Sequence, residues 1–212
     1  MKFIQKTLFK PLMVAAVLSF GGCKNPAHFL LPVMGEKKVE GNDTLYHQVG
    51  PFRLVNQYGD TITEKNMAGK IVIANFFFAT CQSICPEMST NLTEVQKHIL
   101  KDDSVLILSH SVNPLHDTVA VLRSYAERYG AVQNKWHLLT GKKAVIYDLA
   151  KYSYLVNALE DDGSPEGFLH SELFLLIDAK GRLRGTYDGT DKVQVNKLLN
   201  DLSLLKREDK RL

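Results

Sequence analysis

Cysteine is scarce. Three in 212 residues are too few for a scaffold held together by disulfides. No internal repeat or low-complexity stretch is present, which excludes solenoids and collagen-like chains. Charge of one sign is also missing: 26 Lys and Arg stand against 23 Asp and Glu, and Lys2, Lys6 and Lys10 account for the whole excess. From residue 23 onward the chain is formally neutral, so nothing electrostatic points to nucleic acid as a partner. The uncharged run Pro11 to Phe20 is about half as long as a membrane-spanning helix requires. What is present is ordinary globular material. With 45% hydrophobic and 23% charged residues, the chain can bury the core of one domain and is not disordered.

The N-terminus reads as an address. A basic stretch leads into the apolar run and ends at Phe20-Gly21-Gly22-Cys23. The small residues before Cys23 resemble a bacterial lipobox, in which the cysteine becomes the lipidated first residue, although Phe20 stands where Leu is usual. Residues 1–22 are therefore expected to be a lipoprotein signal peptide and residues 23–48 a flexible tether with weak periodicity. Lipidation would take Cys23 out of redox or metal chemistry and leave Cys81 and Cys85 as a pair outside the cytoplasm.

From Val49 to Leu205 strand and helix patterns alternate, and residues 206–212 form a charged tail. Pro51–Val55 and Thr61–Thr63 read as extended pieces around the turn Tyr58-Gly59-Asp60. Ile71–Phe78 is a nearly continuous apolar run, as expected of a central strand covered on both faces. A helix should run from Cys85 to about Leu100 and bury Met88, Leu92, Val95 and Ile99. Val105–Ser109 and Trp136–Leu139 read as strands. Asp117–Tyr129 reads as a helix opened by an acid and closed by Gly130, and Ala144–Tyr152 as another. Leu173–Ile177 and Leu183–Tyr187 flank a hairpin turn, Asp178-Ala179-Lys180-Gly181, before a last helix, Val193–Leu205. This order predicts an α/β, thioredoxin-like three-layer sandwich with a central mixed β-sheet flanked by helices.

Cys81 and Cys85 stand where the central strand gives way to the first long helix, beyond the carboxyl end of a strand, where open α/β sheets bind ligands. Unsatisfied N–H groups at a helix start favour thiolate over thiol. If the loop winds helically, i and i+4 share a face, close enough for a disulfide or for one soft metal ion. Spacing alone leaves redox and metal chemistry both open.

Of seven histidines, His170 has the most telling place, at the end of the acidic loop Glu160–Gly167 and just before a strand. In thioredoxin-like folds that strand's entrance passes close to the cysteine pair. Two thiolates and one imidazole suit Cu(I), and with an added ligand Cu(II), whereas structural zinc calls for four protein ligands. His98 is expected in solvent and His110 in the core or at its rim. His47, His116 and His137 have no comparable context. Asn113 and Asp117 read as turn and cap residues. Trp136 and Phe76–Phe78 are expected in the core, and Met88 to fill a gap there.

With these residues in view the chain resembles the SCO/SenC copper proteins from about Val49 to Leu205. The resemblance rests on Phe52-Arg53-Leu54, Gly69-Lys70, Phe76 to Pro86, Ser109 through Asp117-Thr118, Leu139-Thr140-Gly141, His170-Ser171 and Asp178-Ala179-Lys180-Gly181. It implies a thioredoxin-fold, membrane-tethered chaperone for the CuA centre of cytochrome c oxidase, with Cys81, Cys85 and His170 as ligands of one copper ion. The family usually has Pro after the first cysteine, where this chain has Gln82, and Asp where it has Asn113.

The reading expected from this resemblance is an exported, monomeric carrier rather than an enzyme, held by a lipid anchor on the extracytoplasmic side of a bacterial cell membrane. It would serve a CuA-bearing oxidase subunit or another cuproprotein. The competing reading is an exported thiol–disulfide oxidoreductase, with Cys81 as the more exposed, attacking thiol and Cys85 resolving the mixed disulfide. A copper or redox sensor is the third.

Overall fold

A computed structural model describes residues 30–156 and 171–209. Among the described residues seven strands form one sheet, in the spatial order β4 (Thr61–Thr63), β3 (Arg53–Asn56), β7 (Trp136–Thr140), β6 (Val105–Ser111), β5 (Ile71–Phe77), β8 (Leu173–Ile177) and β9 (Leu183–Asp188). A separate hairpin joins β1 (Lys37–Glu40) to β2 (Asp43–Tyr46), and every residue of both strands is exposed.

β5, β6 and β7 run parallel, while β8 runs antiparallel to β5, so the sheet is mixed. All residues of β5, β6 and β7 are buried, which is why their sequences read as continuous apolar runs rather than alternating ones. The parallel pairs need crossovers, supplied by α1 (Cys85–Ile99) and α2 (Val119–Tyr129). Successive side chains of a strand point to opposite faces. Phe77 meets Tyr125 of α2, whereas Phe76 and His110 meet Tyr154, just past α3 (Lys143–Asp148). α2 and the α3 segment therefore cover opposite faces, and α4 (Lys192–Asp209) packs on β9 and α1.

The helices obey their sequence signals closely. α1 buries Met88, Leu92, Val95 and Ile99 together with Cys85. α2 stops at Gly130, whose φ of 64° is the left-handed conformation that glycine adopts without a Cβ penalty. Its opening differs from expectation: Thr118 is the cap, its Oγ accepting from the Val121 N–H, and Asp117 is free for other work. The third helix passes after Asp148 into a π-helical turn, Leu149–Ser153. Trp136 is core, its Nε1 donating to Ser109 Oγ at 2.8 Å.

α4 extends to Asp209, so the charged residues Lys206, Arg207 and Glu208 lie at its end. From Leu30 the supposed tether is fastened to the domain. Arg184 donates to the carbonyl oxygens of Leu31 (2.6 Å) and Pro32 (3.0 Å), and Met34 N donates to Leu183 O at 2.8 Å. These bonds use backbone atoms, which leave no hydrophobic period to read.

Candidate metal centre

The seven buried residues of β5 end at Phe77, and Cys81 N donates to Phe78 O at 3.2 Å, which closes a β-turn over Phe78–Cys81. Residues 81–84 are not helical. Cys85 is the first residue of α1, with Pro86 in the first turn, where its missing N–H costs nothing. The pair is thus joined by a bend at Ser83 and Ile84 rather than by one turn of helix, and Cys85 still acts on the Cys81 thiol, helping to lower its pKa. They are not joined as a disulfide.

Both cysteines are buried, Cys81 7% and Cys85 3% exposed, so neither stands out as the accessible attacking thiol. Thr80, Gln82 and Ser83 are exposed around them. For Cys81, burial pushes the thiol pKa up. Hydrogen bonds from the Cys85 and Ser83 side chains and from the backbone of both residues outweigh it and hold the pKa below the ordinary thiol value. The Cys81 Sγ to Ser83 Oγ distance is 3.5 Å. A thiolate so placed is a soft metal ligand and a nucleophile.

His170 and Cys23 lie outside the described residues. The chain immediately after His170 is well placed. Ser171 is buried, and β8 pairs antiparallel to β5 with Ala74 opposite Leu175. The entrance of β8 therefore lies at the end of β5 from which the cysteine turn departs. Among the described residues no group of three His, Cys, Asp or Glu side chains gathers into a metal cluster.

The other histidines separate cleanly. His98 is exposed, its Nδ1 at 2.9 Å from Glu94 O. His110 is fully buried, Nε2 at 3.1 Å from Tyr154 Oη, and desolvation drives its pKa down to about 3. His137 is buried against Asn56, and His47 Nε2 lies 2.9 Å from Ser153 O. Met88 is core. Asn113 is a turn residue, its carbonyl accepting from His116 N and Asp117 N.

Asp117 does not cap α2. Its carboxylate is fully buried and accepts from Ala79 N (3.0 Å), Ser111 Oγ (2.5 Å) and His116 Nδ1 (3.0 Å). Sequence reasoning missed this bond from the β6–α2 loop to the cysteine turn, because the partners lie 38 residues apart and an acid before a helix looks like a cap.

The SCO1/SenC family profile matches residues 41–204. A SCO1 protein homolog of Bacillus subtilis is 28% identical over 162 residues, covering 76% of this chain and 83% of its own length. Among solved structures, BsSco, a member of the Sco family of cytochrome c oxidase assembly proteins in which a disulfide switch was identified, superposes with a TM-score of 0.65. It shares 27% identity over 75% of this chain and 93% of its own. ScoI of Bradyrhizobium japonicum with copper bound superposes with a TM-score of 0.61 at 26% identity, over 74% of this chain and 99% of its own. The chain belongs to the SCO1/SenC family.

Proposed function

We propose that this chain is a membrane-tethered copper carrier that binds one copper ion through Cys81, Cys85 and His170 and passes it to the CuA site of a respiratory oxidase. The observation that carries this reading is the pair of buried, unbridged cysteines leading into α1, with the Cys81 thiol held toward thiolate by Cys85 and Ser83. Thiolates suit Cu(I), and low coordination lets each donor be replaced in turn by an acceptor's ligand. The copper-bound relative and the oxidase-assembly relative support cargo and destination. His170 enters as third donor because the strand just after it starts beside the cysteine turn.

The tether reading puts the lipid on Cys23 of a chain exported through residues 1–22. Six residues lie between Cys23 and Leu30, and the seven Cα steps reach about 25 Å at most. Leu31 and Pro32 are bound by Arg184, beside Leu183, which pairs with Ile177, itself opposite Val72 near the start of β5. The cysteine turn leaves the other end of β5. A lipid anchor would therefore hold the domain near the bilayer with its sulfur pair facing outward.

The second reading, thiol–disulfide exchange, is favoured by the same lowered thiol. Cys81 thiolate attacks a partner disulfide, Cys85 displaces it from the mixed disulfide, and the partner leaves as a dithiol while the pair becomes a disulfide. Anaerobic Cu(I) titration against a chromogenic chelator separates the readings. The carrier reading expects one Cu(I) per chain, no tight site in C81S/C85S, and at least tenfold weaker binding in His170→Ala. A His170→Ala protein that binds as tightly as wild type and still reduces a disulfide substrate would establish the exchange reading instead.

A further inference from the structure

We propose that Asp117 is the positioning residue of the dithiol centre: its buried carboxylate fixes the turn that carries Cys81 and so sets the approach of the two sulfurs. For its functional meaning this rests on the copper-carrier reading; the geometry stands without it.

The sequence from Ser111 to Thr118 builds the device. Asn113 O accepts from Asp117 N at 2.9 Å and from His116 N at 3.1 Å, folding the loop back so that Asp117 points beneath the cysteine turn. Ser111, the last residue of β6, pairs in register with Phe77, the last of β5, and Val112 N donates to Phe77 O at 2.9 Å. The carboxylate sits above this junction. One oxygen, Oδ2, accepts both Ser111 Oγ and Ala79 N, while Oδ1 takes His116 Nδ1.

Ala79 is the second residue of the Phe78–Cys81 turn, so its N–H is the group whose anchoring decides where Cys81 starts. The turn's own closing bond sets its shape, but the bond to Asp117 sets its tilt against the β6–α2 loop. A carboxylate acceptor makes each bond charge-assisted, roughly twice as strong as a neutral one. Being wholly out of water, Asp117 loses heavily if any donor leaves, so the clamp is stiff. Outer residues that hold first ligands in place typically matter about 10- to 100-fold for metal affinity.

The test combines hydrogen exchange with thiol chemistry on the full chain. In wild type, Ala79 N–H should exchange at least tenfold more slowly than the amides of the exposed residues Thr80, Gln82 and Ser83; equal rates would overturn the proposal without any variant. Asp117→Asn should speed Ala79 exchange at least tenfold and weaken Cu(I) binding about tenfold. It should also move the dithiol–disulfide equilibrium against glutathione about tenfold, or about 30 mV. In a C81S/C85S background the same substitution should change residual Cu(I) binding less than twofold. Thr118→Ala, which removes the α2 cap beside Asp117, controls for general loosening and should leave the thiol equilibrium within twofold. If Asp117→Asn frees Ala79 but leaves both thiol readouts unchanged, or if Thr118→Ala moves them equally, the positioning role is wrong. Should no variant bind Cu(I) tightly, the carrier reading fails while exchange and the thiol equilibrium still decide the clamp.

Discussion

Arg184 Nη2 lies 2.6 Å from Glu208 Oε2, and both side chains are nearly closed to solvent, 4% and 12% exposed. The same guanidinium donates through Nη1 to Asp178 Oδ2 at 3.1 Å and through Nε and Nη2 to the carbonyl oxygens of Pro32 and Leu31. Glu208 Oε1 in turn accepts from Leu31 N at 2.8 Å. One planar fork thus ties the hairpin turn, the end of α4 and the first described residues of the chain into a single knot. Lysine could not replace it, because a point charge cannot serve these directions at once.

Arg184→Met should destabilise the domain by about 2–3 kcal/mol. Breaking a buried pair costs about 3–5 kcal/mol, and Arg182 at 2.7 Å still partners Asp178. Thermal denaturation should show a fall of roughly 5–10 °C for a domain of this size. Amide exchange should speed at Leu31 and Met34 in Arg184→Met but not in Arg182→Met. Equal effects of the two would mean that the knot does not hold the N-terminal arm.

The sheet and helices were legible because they rest on local rules. Ile71–Phe77 is apolar throughout because both its faces are covered, and Asp178-Ala179-Lys180-Gly181 turns because Gly181 takes a φ of 77°. The cysteine pair was legible from its spacing and its place at the end of a central strand. What was hidden involves partners far apart in sequence. The arm at Leu31–Met34 binds through its backbone, and Asp117 carries a cap's signature while bonding to Ala79. His116, with no context in the sequence, turns out to lie against that carboxylate.

Ser83→Ala should raise the pKa of the Cys81 thiol, since it removes one of the hydrogen bonds that outweigh burial. The pH dependence of alkylation, read alongside thiolate absorbance, measures it. The lowered thiol also has a definite sign for stability. A folded pKa below the unfolded one adds stability that is fully present above the unfolded thiol value and is lost as pH falls through the folded one. Cys81→Ser should therefore flatten the rise of stability with pH below the unfolded thiol value. An unshifted profile in Ser83→Ala would show that the hydroxyl contributes nothing to the thiolate.

His110 predicts the acid limb. Its folded pKa, pushed down to about 3, lies far below the ordinary imidazole value, because the ring is buried among Phe52, Phe76 and Tyr154. The unfolded chain takes up a proton near pH 6.5 that the folded chain refuses, so stability is intact above that value. It should fall by about 1.4 kcal/mol per pH unit below it. Between pH 6.5 and 5 the ring accounts for about 2 kcal/mol. His110→Phe leaves Tyr154 Oη without that partner and lowers stability near neutrality, but its urea midpoints should lose that much less on acidification. An unchanged slope would assign the acid limb to other groups.

Gly189 links the last strand to the candidate centre. Its N donates to Glu172 O at 2.6 Å, and its carbonyl accepts from Asn91 Nδ2 of α1 at 2.7 Å. It thereby fastens the entrance of β8 to the helix headed by Cys85. A Cβ at this position would come within 2.6 Å of the fully buried Phe174 ring, which cannot swing away, so Gly189→Ala should cost about 1–3 kcal/mol through overpacking. Its functional effect should be selective. The Cys81 and Cys85 contact is set elsewhere, by the turn and by Asp117, so alkylation of the pair should keep its pH profile. The strand entrance next to His170 should shift, so Cu(I) affinity should fall toward that of His170→Ala. If Gly189→Ala loses stability yet binds Cu(I) as tightly as wild type, the entrance of β8 has no part in holding copper, and the third donor must be sought away from that strand.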